Sequence, residues 1–224
     1  MNGTYETMLP LPGGKRKCCM QLAQEGNSLT GYLTNPYTPE ERCLIYDGSV
    51  HGDSLVWKAM VGRTEFVLEG TSEQDGLHLT LTTHETIPLE PGRRLTGKTG
   101  ELAGEYLVGV YSPGGVKENH VCITGAPGNY GGEMFCLMDE KTLAFLKTHM
   151  PNMPRSAPTL PQLGDKMDVN PFLSVTGDAA AFEITTRTGS GSLFVFTGSV
   201  SGDAIAMTLH VTDVSDGLLA KKQL

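Results

Sequence analysis

One ten-residue pattern occurs twice in this chain, and it narrows the architectures open to it. Residues 50–59 read Val-His-Gly-Asp-Ser-Leu-Val-Trp-Lys-Ala, and residues 175–184 read Val-Thr-Gly-Asp-Ala-Ala-Ala-Phe-Glu-Ile. Each copy leads into a strand-like run ending in glycine, Thr64 to Gly70 and Leu193 to Gly198. Each then closes with an alternating strand, Gly76 to Thr83 and Ser201 to Val211. Upstream, Gly3-Thr4-Tyr5 has a counterpart in Gly104-Glu105-Tyr106. A repeat of roughly a hundred residues is too long for a solenoid unit and fits a whole small domain. The chain therefore divides into two related repeats, residues 1–97 and 98–224. In this alignment Asp53 matches Asp178, Trp57 matches Phe182, and His78 matches His210.

Strand signals follow one another closely in the first repeat: Lys17 to Ala23, Leu29 to Leu33, Cys43 to Tyr46, Val50 to Ala59, Glu65 to Glu69 and Leu77 to Thr83. Turn residues fill the gaps, among them Gly26-Asn27, Asp47-Gly48 and Gly52-Asp53. Such spacing predicts up-and-down antiparallel pairing, and closure into a barrel would remove the exposed edges. The expected fold is mostly β: two tandem antiparallel β-barrels. The second repeat is longer, its extra residues lying at about 131–171. Within them Asp139 to Met150 reads as a helix, with Asp139 as N-cap and Leu143, Leu146 and Met150 on one face. Pro151 stops it, and Pro154, Pro158 and Pro161 follow. Met134, Met138, Met150, Met153 and Met167 crowd the same stretch, which is the expected helical, Pro- and Met-rich insertion.

A formal charge of -8 argues against a nucleic-acid partner. The N-terminus lacks the basic and apolar regions of a signal peptide, and no apolar run is long enough to span a membrane. Five cysteines without paired spacing fit a reducing, cytoplasmic setting better than a disulfide framework.

The sequence Gly3-Thr4-Tyr5, then Leu29-Thr30-Gly31, then Asp47-Gly48-Ser49-Val50-His51-Gly52-Asp53, resembles a bacterial family of small lipocalin-like (calycin-like) β-barrel domains. The first repeat matches over most of its length. The second matches at Gly104-Glu105-Tyr106 and from Val175 onward. The resemblance implies a barrel and a ligand-binding habit. It carries over no catalytic residue.

Nothing in the sequence calls for a cofactor. None of the six histidines forms a metal-binding pair at His-x-His or His-Glu-x-x-His spacing. Gly97-Lys98-Thr99 lacks the glycine spacing and the following helix of a phosphate loop, and Gly125 to Gly132 reads as a hinge. His120 and Cys122 would share one strand face. The candidate acid–base groups are His120, Tyr106, Glu183 and His210, with Tyr130, Met150 and Phe182 as ligand-binding residues. His78 and His210 lie opposite their flanking leucines, facing either a lumen or solvent. Three functions stay open: binding of a small, largely apolar or aromatic molecule; a cofactor-independent lyase, isomerase or cyclase; and a non-catalytic, partner-docking subunit. A homo-oligomer is compatible with each.

Overall fold

The computed structural model describes residues 1–11, 14–112, 115–149 and 161–223. Among these, fifteen strands make one antiparallel sheet. The first seven are β1 (Gly3–Leu11), β2 (Gly14–Glu25), β3 (Ser28–Thr34), β4 (Arg42–His51), β5 (Ser54–Val61), β6 (Thr64–Glu73) and β7 (Gly76–Pro88). Next come β8 (Gly92–Thr96), β9 (Gly104–Ser112), β10 (Gly115–Ala126) and β11 (Asn129–Leu137). The helix α1 (Glu140–His149) precedes β12 (Lys166–Gly177), β13 (Phe182–Arg187), β14 (Leu193–Ser201) and β15 (Ala204–Lys222). Asp139 caps α1 as expected, its Oδ1 accepting the Thr142 N–H at 2.6 Å. That bond is the main reason the Asp139 carboxyl titrates below its ordinary value. Met150 and the proline run from Pro151 to Pro158 lie outside the described residues.

The ladder runs β1 to β7, then β15, β14, β13, β12, β11, β10, β9 and β8, with two further pairings, β1–β15 and β15–β8. The two compact units are residues 1–86 with 211–224, and residues 87–210. They do not coincide with the sequence repeats. The start of β15 belongs to the second unit, where Ala204 and Ile205 pair with Arg93 and Gly92. Its end belongs to the first, where Lys221 and Lys222 pair with Glu6 and Tyr5. Each repeat thus gives its final strand, β8 or the end of β15, to the other repeat's unit.

The ladder also fixes which residues correspond. Leu55 lies opposite Gly70, and Phe182 lies opposite Gly198. Both glycines are required by close backbone approach: a Cβ would fall 1.9 Å from the His78 carbonyl oxygen in one and 2.1 Å from that of Ala206 in the other. On this register Leu55 corresponds to Phe182. Trp57, opposite Leu68, corresponds to Ile184, opposite Phe196. The match of Trp57 with Phe182 read from the repeated Gly-Asp is therefore displaced by two residues. A two-residue slip keeps every side chain on its face, so alternation could not expose it. Asp53 and Asp178 still sit in the corresponding β4–β5 and β12–β13 connections, where Asp178 Oδ1 accepts the Ala180 N–H at 2.8 Å. By the same register His78 corresponds to Ala206, not to His210.

In the first unit the inward face is filled. Leu9, Met20, Leu33, Trp57 and Leu68 are all fully buried and belong to one apolar cluster. Such burial of large side chains is the main favourable term in the fold.

Candidate functional site

The second unit contains a cavity of about 550 Å³, within the usual range for a ligand pocket. Strand alternation supplies its lining. Along β10, Lys117 and Asn119 share a face with the buried Val121 and Ile123, so one inward face is polar at one end and apolar at the other. Met134, Phe196 and Leu209 are buried in the wall, and Val110 and Phe194 complete its apolar part. Asp168, Asn170 and Thr188 add polar groups.

The two inward faces differ at corresponding ladder positions. Ile184 stands where the first unit has Trp57, and Val110 stands where it has Leu9. Asn119 replaces Cys18, and Thr186 replaces Ala59. Val110 and Asn119 line the cavity, whereas Ile184 and Thr186 are fully buried outside its lining, and Phe196 stands where the first unit has the smaller Leu68.

One ion pair marks the polar end. Lys117 Nζ lies 2.8 Å from Asp168 Oδ2, and the Cys136 thiol donates to the same oxygen at 3.5 Å. Burial alone would lower the Lys117 pKa, but hydrogen bonding to Asp168 and Cys136 outweighs it and leaves the ammonium raised. The Lys117 hydrogen bond is the main cause that holds the Asp168 carboxyl low. Burial pushes the Cys136 thiol up, which makes it a poor nucleophile. Asp168 also has a left-handed backbone, φ 50°, beside the register shift between Met134 and Cys136 in the β11–β12 ladder. Strain at a non-glycine residue of this kind persists where the surroundings hold it.

The residues singled out from the sequence lie elsewhere. His120 is next to Asn119 and so takes the opposite face. Its Nδ1 meets Glu105 Oε1 at 2.6 Å, and its ring stacks on Phe135 with centroids 5.0 Å apart. Cys122 sits on that outer face too, and burial, then Glu105, raise its thiol pKa. Tyr106 is fully buried and points inward, but at the far end of β9 from Val110. There its hydroxyl accepts from Arg94 Nη2 at 2.6 Å and lies 2.9 Å and 3.0 Å from the Glu101 and Leu102 carbonyls. The Arg94 guanidinium also covers the Tyr106 ring at 4.6 Å. These contacts make Tyr106 a structural anchor.

Tyr130 is half-buried in β11 and is not among the residues lining the pocket. Phe182 is buried against Gly198, where it fills the space left by the missing side chain. Glu183 is exposed on the face opposite Phe182 and Ile184. His210 faces away from its buried neighbour Leu209 and meets Thr197 Oγ1 at 3.3 Å. The structure does not bring His120, Tyr106, Glu183 and His210 together. His78 is likewise on an outer face, 2.8 Å from Asp75 and 3.7 Å from Glu73. These three exposed groups are close enough to share an ion, but they also form an ordinary surface charge cluster. Asp75 hydrogen bonding is the main reason the His78 imidazole is raised.

Sequence reasoning missed Lys117, Asn119, Asp168 and Asn170. Alternation with Val121 and Ile123 could have found the first two. No period marks the other two, because the register shift breaks alternation there.

No family model, curated protein or solved structure matches this chain.

Proposed function

We propose that this protein binds a small, largely apolar molecule in the second unit, between an apolar inner wall and the Lys117–Asp168 pair at its rim. The carrying observation is the cavity of about 550 Å³ itself, with Met134, Phe196 and Leu209 in its apolar wall and Lys117, Asn119 and Asp168 as polar groups. The architecture we infer with it is a pair of closed antiparallel barrels. The extra β1–β15 and β15–β8 pairings support closure. In this reading the first barrel is scaffold and the second is the binder. β11 contributes Met134 to the pocket, and β12 contributes Asp168, Val169 and Asn170. Five free cysteines support a reducing, cytoplasmic setting.

The neutral fluorophore N-phenyl-1-naphthylamine tests the proposal. It should brighten on binding to the wild type. Leu209→Trp, which puts a larger side chain into the wall, should weaken that binding by about tenfold or more without lowering the melting temperature greatly. Glu183→Gln, on the outer face, should leave it unchanged. Probe binding that ignores Leu209→Trp would sink the proposal.

The insertion needs finer surgery than its sequence limits imply. Residues 134–137 pair within β11, and Lys166 and Met167 pair within β12, so excising 134–167 would cut the sheet. The connection proper lies between Met138 and Asp165, whose N–H and C=O groups are hydrogen-bonded at 2.9 Å. Replacing 140–162 with a short Gly-Ser bridge should preserve the ladder and the far-ultraviolet circular dichroism of its strands. Collapse of the strand signal would show that the connection is needed for folding.

A further inference from the structure

We infer that Asp168 selects ligands by head-group charge, so that the pocket accepts an uncharged-headed amphiphile and disfavours a carboxylate; this rests on the pocket being the binding site. Lys117 and Asp168 are the charged residues among those lining the cavity, and at 2.8 Å they satisfy each other. A bound carboxylate would have to break that pair or bring a second anion beside Asp168. Like charges a few ångströms apart disfavour one another, by an amount that water at this exposed rim reduces. A hydroxyl or amide head avoids both costs. It can donate to Asp168 and accept from Lys117 or Asn119 while the ion pair stays intact.

Asp168 is also poorly placed to swing aside. Its Oδ2 is shared by Lys117 Nζ and the Cys136 thiol, and its carbonyl accepts from Asn170 Nδ2 at 2.7 Å. Its left-handed backbone fixes the direction in which the side chain leaves the strand. The buried wall of Met134, Phe196 and Leu209 receives the apolar tail, so the head meets the exposed rim, where the Lys117 and Asp168 side chains are 44% and 67% exposed.

The experiment is displacement of N-phenyl-1-naphthylamine by 1-decanol and by decanoate, below micelle-forming concentrations and at about pH 8, where the acid is ionised. Decanol should compete about threefold better than decanoate with the wild type. Asp168→Asn, nearly isosteric, leaves Lys117 unpaired and should close or reverse that gap by strengthening decanoate. Equal competition by the two ligands in the wild type would overturn the inference without help from any variant. So would an Asp168→Asn protein that binds the probe normally yet keeps the wild-type preference. Absence of wild-type probe binding would instead remove the pocket reading, and this inference with it.

Discussion

Ending the chain after His210 is expected to unfold the unit that contains the N-terminus. Residues 211–222 are the edge partner of both β1 and β7. Tyr5 and Glu6 pair with Lys222 and Lys221, and the Gln223 N–H reaches the Thr4 carbonyl at 2.8 Å. On the β7 side, Thr80 Oγ1 donates to Asp216 at 2.9 Å and His84 Nδ1 meets Thr212 Oγ1 at 3.1 Å. Ala220 is fully buried in the apolar cluster, and Leu218 packs against it. Removal would expose two strand edges and the core between them. Each ladder hydrogen bond is worth about 1 kcal/mol net, and whole domains are stable by roughly 5–15 kcal/mol, so the combined loss should exceed what the unit can bear.

The single tryptophan makes this measurable. Trp57 is fully buried in the first unit, so its emission should move to the red on truncation. The pocket lies wholly within residues 87–210, and N-phenyl-1-naphthylamine binding there should survive better than the tryptophan signal. A peptide spanning 211–223 should restore buried emission by adding back the missing strand. Unshifted Trp57 emission after truncation would show that the last strand is dispensable to that unit.

The second large effect is expected at Trp57 itself. Trp57→Ala should destabilise the first unit by about 3–5 kcal/mol, the range for removing a buried large aromatic. The residue is fully buried between Leu68 on one neighbouring strand and the rest of the cluster. Its Nε1–H finds no hydrogen-bond acceptor among the described residues. Trp57→Phe should therefore cost much less than Trp57→Ala, because it retains most of the ring while removing an unmet buried donor. Urea denaturation followed by circular dichroism would give both values. A loss below about 1 kcal/mol for the alanine variant would mean that the site repacks or is open to water.

The alternating strands, their turns and the helix cap at Asp139 were legible in the sequence, because each depends on neighbours a few residues apart. Gly70 and Gly198 read as strand ends but lie within β6 and β14, where each admits a neighbouring carbonyl. The candidate cavity lies in the longer half of the chain, but its described lining comes from the strands flanking the long connection, β11 and β12, rather than from the connection itself. The named groups His120, Glu183 and His210 turned outward, and Tyr106 became an anchor, because period-two alternation tells which residues share a face but not which face is inside. Only the tertiary structure decided that. It also decided that Trp57 matches Ile184, since a slip of two residues leaves the pattern unchanged while moving every cross-strand contact. The exchange of final strands lay further beyond reach: pairing Tyr5 with Lys222 joins residues at opposite ends of the chain, and no local pattern carries information across that distance.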